Sequence, residues 1–146
     1  MEKYISKQVK INKPDAAIYT VMSDFNHFTP ILQDQVEDWQ VDGDTCSFKV
    51  KGFTVRLRML EKTPYDCIKL TGDEGSPMEF VFWIQLKSLA PDDTRMRLTL
   101  HVELNLMMKM MLGSKLAKGI DDIAEKIAFA FNNAPIPGAP MPDLNA

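Results

Sequence analysis

The stretch that decides the fold runs from residue 95 to residue 131: RMRLTLHVELNLMMKMMLGSKLAKGIDDIAEKIAFAF. Its first part alternates. Met96, Leu98, Leu100, Val102, Leu104 and Leu106 take every second position, the period of a strand with one face on a core. Then the period changes. Met108, Leu112, Leu116, Ile120, Ile123, Ile127 and Phe131 recur at steps of three and four, which draws one apolar stripe along a helix. Lys115, Lys118, Asp122 and Glu125 fall on the other side. The spacing therefore predicts a strand through Leu106 and a long helix over about Met107 to Asn132. Gly113 and Gly119 are poor helix formers, and close packing of the helix on a sheet is the expected reason for them.

Upstream of this stretch the period is already two. Trp39 and Val41 share one parity. Cys46, Phe48 and Val50 make the next strand, Val55, Leu57 and Met59 the one after, then Ile68 and Leu70, then Phe80, Phe82, Ile84 and Leu86. Gly43 and Gly52 punctuate strand ends, and Gly72 to Pro77 and Pro91-Asp92-Asp93 read as turns. Connections of hairpin length imply an antiparallel meander.

The N-terminal part adds one strand and two helices. Tyr4 to Ile11 reads as a strand with Ile5, Val9 and Ile11 on one face. Pro14 suits the first position of a helix, where its missing N–H costs nothing, and Asp15 adds negative charge in the first turn. Ala17, Ile18, Val21, Met22 and Phe25 follow at helical spacing. A second, short helix is expected at Thr29-Pro30, with Thr29 as its cap and Ile31 and Leu32 as its buried side. Beyond Asn133 the chain reads APIPGAPMPDLNA. That proline density cannot continue a helix, so the expected organisation is one domain over residues 1–133 and a Pro-rich tail over 134–146.

The 146 residues fit that single domain, with 45% apolar residues to build its core. A net charge of −3 gives no reason to expect a nucleic-acid partner. The opening MEKYISKQVKI is too frequently charged for a signal peptide, and no window approaches the ~20 apolar residues of a membrane span. A cytoplasmic protein is expected. Cys46 and Cys67 lie inside strand-like runs with no CxxC spacing, and His27 and His101 have no ligand spacing, so neither a metal nor a cofactor is expected.

The order of elements resembles the START-like superfamily, also called SRPBCC, helix-grip or polyketide-cyclase-like proteins. The resemblance covers roughly residues 3 to 132. It rests on the opening strand ending Val9-Lys10-Ile11-Asn12 with Pro14 beginning a helix, and on the junction Ser23-Asp24-Phe25-Asn26-His27-Phe28 with Pro30 just after it. The strand pair Phe80–Leu86 and Met96–Leu106 and the long amphipathic helix complete it. The fold this implies is α+β: a curved antiparallel sheet of about seven strands, two short helices, and a C-terminal helix gripped by the sheet. Members bind lipids, hormones or polyketides, act as cyclases, or bind proteins, so the resemblance alone does not choose a function.

The residues themselves point to an apolar interior. A cavity between sheet and helix would be lined by Phe48, Leu57, Phe82 and Leu100 from the strands and by Met108, Met111, Leu116 and Ile120 from the helix. The expected function is non-catalytic binding of a small hydrophobic molecule, a lipid or an aromatic compound. A cyclase- or dehydratase-like enzyme and a protein-interaction module are the alternatives. For an enzyme, the charged residues on the apolar strand parity are Lys7, Glu37 and Glu61, with Glu61 and Lys7 as the candidate pair and His27 as a capping residue or a cavity-mouth acid/base. For a module, Lys49, Lys51, Arg56, Arg58, Lys69, Lys87, Arg95 and Arg97 share the opposite parity with Val81, Trp83 and His101. That face could dock an acidic partner or join two copies in a homodimer.

Overall fold

A computed structural model describes residues 1–34, 36–50, 52–73 and 79–133. The Pro-rich tail, Lys51 and most of the Gly72-to-Pro77 turn lie outside the described residues, as do the side chains of Ile31, Val50 and Phe53. Strands β1 (Glu2–Ile5) and β2 (Val9–Ile11) open the chain, followed by α1 (Asp15–Met22), a 3-10 turn (Phe25–Phe28) and α2 (Thr29–Leu32). The meander then runs β3 (Glu37–Asp42), β4 (Thr45–Val50), β5 (Phe53–Thr63), β6 (Cys67–Gly72), β7 (Phe80–Ala90) and β8 (Asp93–Val102). Helix α3 (Leu106–Asn133) closes the fold. All pairings are antiparallel, in the order β1-β8-β7-β6-β5-β4-β3, with β2 also on β8.

The first strand is broken, not continuous. β1 and β2 both pair with β8, but Ile5 faces Thr99 and Val9 faces Met96, so β1–β2 spends one residue more than its partner. Ser6 fills the break: its N–H donates to the Leu98 carbonyl and its Oγ accepts from the Leu98 N–H, both at 2.8 Å. The extra residue inverts the parity. Val9 and Ile11 are buried, whereas Ile5 lies on the outer face and is exposed.

The end of β8 also differs from the alternating pattern. The strand stops at Val102, and Leu104 and Leu106 do not continue it. Asn105 decides this, because its Oδ1 accepts from the Met108 N–H at 2.8 Å and so caps α3. In α2, Thr29 is inside the helix, not its cap, and its Oγ1 accepts from Trp39 Nε1 at 2.7 Å.

One core runs beneath the sheet. Ile18, Val21, Met22 and Phe25 pack with Met59, Ile68, Leu70, Ile84, Leu86, Met96 and Leu98, and with Ile120, Ala124, Ala128 and Phe131 of α3. The helix rests chiefly on β1, β2 and β8. Polar contacts hold its C-terminal half there. Asn132 accepts from the Asn12 N–H at 2.7 Å and donates to the Lys10 carbonyl at 3.1 Å, and Asp121 accepts from the Lys7 N–H at 2.7 Å. Close packing explains one helix glycine and not the other. A Cβ at Gly113 would meet Tyr4 Oη at 3.4 Å, whereas a Cβ at Gly119 meets nothing within 4 Å.

Candidate functional site

Side chains on the inner face of the sheet are not covered evenly. The meander alternates its turns between two ends. Toward the end that carries α1, inward residues are almost fully enclosed: Met59, Ile68, Ile84, Leu86, Met96 and Leu98. Toward the other end, Phe48 at the end of β4, Val55 and Leu57 at the start of β5, Phe80 and Phe82 at the start of β7, and Leu100 on β8 are only half-buried. Buried residues adjoin this surface: Val102, where the chain passes toward α3, Leu70 opposite Phe82, and Cys46 opposite Leu57. The same strands therefore change from closed core to open apolar surface along their length.

The four strand residues expected to line a cavity all lie on this surface. Phe82 and Leu100 are direct cross-strand partners, and Phe82 also faces Leu70. Leu57 faces Cys46, and Phe48 faces Val55. Phe48 also leans on Trp39, with ring centroids 6.1 Å apart. All four pack against the core cluster.

The helix residues divide. Ile120 belongs to the closed core, and Met108 and Leu116 are half-buried. Met111 does not join them; it is 65% exposed, because it lies on the side of α3 that carries Lys115 and Lys118. Leu112, between Met108 and Leu116 on the same stripe, is half-buried as well. Ile123 is exposed although the stripe included it, and Ala124 is buried beside it. Small residues let the helix approach the sheet closely, so contact selects alanine where periodicity alone favours isoleucine.

Clefts formed by the described residues lie elsewhere, two of them without these side chains in their lining. One of about 730 Å³ is bordered by Ser23, Asp24, His27, Asp42, Asp44 and Lys62. One of about 350 Å³ is bordered by Gln40, Asp42, Ser47, Arg56 and Asp73. Around the larger one, several of the polar groups already serve other partners. Asp24 Oδ1 caps the Asn26 N–H at 2.8 Å, and Asp44 pairs with Lys62. His27 Nδ1 donates to the Val21 carbonyl at 3.0 Å, so it caps the last turn of α1.

The structure separates the candidate acid–base pair. Lys7 pairs with Glu125 of α3, whose carboxylate holds the ammonium above its ordinary pKa. Glu61 instead faces Lys69 across β5 and β6, 4.0 Å away on the outer face. The cause is a bulge between Met59 and Glu61, which inverts the parity of the rest of β5. A second bulge, between Glu37 and Gln40, sends Glu37 to the outer side opposite Lys49. There Asp38 takes a left-handed φ of 54° and pairs with Lys49 at 3.4 Å. Tyr19 and Tyr65 pack edge to face, 5.7 Å apart. Burial pushes the Cys46 thiol up to about 12 and also raises Cys67, so neither is an activated nucleophile. Among the described residues, no three His, Cys, Asp or Glu side chains are grouped to hold a metal ion.

The outer face is basic by composition, and four of the seven described basic residues named for it meet an acid, Lys49 among them. Arg58 pairs with Asp73 at 3.6 Å, Arg95 with Asp93 at 2.8 Å, and Lys69 with Glu61. Trp83 is not free-standing either. It meets His101 edge to face at 4.6 Å, and Lys69 Nζ lies 5.7 Å over its ring.

No family model matches the sequence, and no curated protein matches it. Solved structures do match. Norcoclaurine synthase from Thalictrum flavum aligns with a TM-score of 0.69 at 13% identity, covering 87% of this chain and 85% of that one. The Aha1 dimer from Colwellia psychrerythraea gives 0.68 at 15% identity, covering 91% and 98%. XoxI from Bacillus cereus gives 0.66 at 13% identity, covering 91% and 97%. The α+β arrangement of a curved antiparallel sheet holding a long C-terminal helix is thus shared over nearly the whole of these chains. No helix among the described residues is long and apolar enough to cross a membrane.

Proposed function

We propose that this chain, built on the START-like helix-grip fold, binds a small hydrophobic molecule in the half-open cleft between the sheet and the first half of α3. One observation carries the reading: Phe48, Leu57, Phe82 and Leu100 point inward yet stay half-buried, while their neighbours toward α1 are sealed in core. Apolar surface kept in water forgoes roughly 25 cal/mol per Å², and a ligand entering the cleft recovers it. Met108 and Leu116 supply the helix wall; Met111 is left out of the proposed site. Planar aromatics and lipids are the ligand classes that such a wall accepts. A similar structure, norcoclaurine synthase, has been solved with dopamine and hydroxybenzaldehyde, which supports a small aromatic.

The enzyme alternative loses its candidate pair, since Lys7 and Glu61 are apart, and His27 is engaged with the Val21 carbonyl. A homodimer and a cytoplasmic location are further proposals, the first suggested by the dimeric Aha1 structure. Sedimentation and cell fractionation test them.

The binding test is a thermal-shift series with fatty acids, sterols and planar aromatics. A ligand of the folded state adds RT ln(1 + [L]/Kd), about 2.7 kcal/mol at a hundredfold excess over Kd. At least one class raises the melting temperature, and Leu100→Phe weakens that rise while disturbing the free protein little. No shift with any class, together with strong destabilisation by Leu100→Phe, means packed core in place of a cleft.

A further inference from the structure

We propose that the first half of α3 docks on the surface of a negatively charged lipid bilayer. Leu106, Met107, Met110 and Met111 are 75%, 70%, 78% and 65% exposed. The first three are more exposed than any other large apolar side chain among the described residues. Four such side chains on two successive turns form a contiguous apolar patch, and a patch of this kind with polar neighbours marks a contact surface. Methionine suits an irregular, fluid boundary because its unbranched chain adapts its shape.

Charge selects the partner. Between Glu103 and Asp121 the chain carries Lys109, Lys115 and Lys118 and no acidic residue. Lys109 is held by Glu2 at 3.3 Å. Lys115 and Lys118 are exposed, and they follow Met107 by eight and eleven residues, so they share an outward face with Met107 and Met111. Apolar side chains flanked by lysine on one helix face match the boundary between acyl chains and anionic headgroups. A protein partner of ordinary acidic character would satisfy the lysines and leave the methionines in water.

The whole chain is acidic at −3, so distribution decides the orientation. Asp42 and Asp44 lie on the β3–β4 turn, which the Gly43 carbonyl ties to the Phe25 N–H at 2.9 Å, at the α1 end of the meander. Helix α3 begins at the opposite end, after β8. The molecule therefore presents Lys115 and Lys118 together with the methionines and keeps Asp42 and Asp44 away from the bilayer. The acids beside the start of α3 are paired, Glu103 with the N-terminal ammonium at 3.7 Å and Glu2 with Lys109.

The test is flotation with vesicles of phosphatidylcholine alone and of phosphatidylcholine mixed with phosphatidylglycerol. The protein floats with the anionic vesicles and is released by high salt. Each lysine near such a surface is worth about fivefold in partition, so Lys115→Glu with Lys118→Glu lowers binding at least about tenfold. Met107→Ser with Met111→Ser lowers it as well, and Phe129→Ser, at the far end of the helix, does not. These side chains are exposed, so the melting temperature of each variant stays that of the parent. Failure to float with anionic vesicles, equal binding to neutral ones, or unchanged binding of the methionine variant overturns the proposal. So does a concentration-dependent dimer that the methionine variant abolishes, since the patch would then belong to a second copy. Flotation reads docking whether or not the cleft takes a ligand.

Discussion

Two glycines in one helix provide a matched test of how α3 meets the sheet. Replacing a helical glycine by alanine gains about 1 kcal/mol, because alanine loses less backbone freedom on folding. At Gly119 nothing lies within 4 Å of the new Cβ, so Gly119→Ala keeps the full gain. For a domain of this size that is about 4 °C in melting temperature. At Gly113 the new Cβ meets Tyr4 Oη at 3.4 Å, the tight edge of ordinary contact. Tyr4 is half-buried on β1 with its ring against the core, so moving it takes back part of the gain, and Gly113→Ala yields about half as much. Urea unfolding at constant m measures both. Equal stabilisation by the two substitutions refutes the close approach at Gly113. A loss of stability at Gly119 refutes the open flank that the proposed cleft requires.

Leu98 and Leu100 are neighbours on the same face of β8 with unlike surroundings, 0% exposed against half-buried. Leu98→Ala costs about 3–5 kcal/mol and Leu100→Ala less than half of that, by chemical denaturation; equal costs would show that the cleft is filled. Asn105→Ala removes the cap of α3 and costs about 1 kcal/mol, with loss of helical circular dichroism, whereas an unchanged protein would mean that the Met108 N–H has another acceptor. Burial raises the Cys46 thiol from its ordinary 9.0 to about 12. Its folded pKa is the higher one, so its stabilising contribution is complete below pH 9 and is lost as pH rises toward 12. Unfolding curves of the parent between pH 8 and pH 11 therefore fall more steeply than those of Cys46→Ala, and parallel curves would contradict the burial of the thiol.

Periodicity was a reliable guide wherever neighbouring strands add no residue of their own. Phe48, Leu57, Phe82 and Leu100 stand on the inner face as their spacing implies, since β4 and β5 pair without a shift and β7 and β8 do so from Phe80 to Ser88. It misled at Ile5, Glu37 and Glu61, and each time for one reason. A bulge is a bargain between two strands over register. One chain segment carries no mark of where its partner runs a residue short. The same limit applies to the proposed cleft. The apolar parity names which residues face inward, but how far the helix covers them depends on where α3 is pinned along β1, β2 and β8.

The sequence by itself determined the class of the fold: alternating runs, hairpin turns, and a change to helical period near residue 107. Local sterics and the burial of one face suffice for that, because strand and helix each impose a fixed repeat. Tertiary structure alone decided that Lys7 belongs to Glu125 and not to Glu61, and that Ala124 lies in the core while Ile123 faces out. It alone decided, too, that Met111 stands in water. These are questions of which surfaces meet and how closely. Their energies come from contacts between residues far apart in the chain, where spacing along the sequence carries no information.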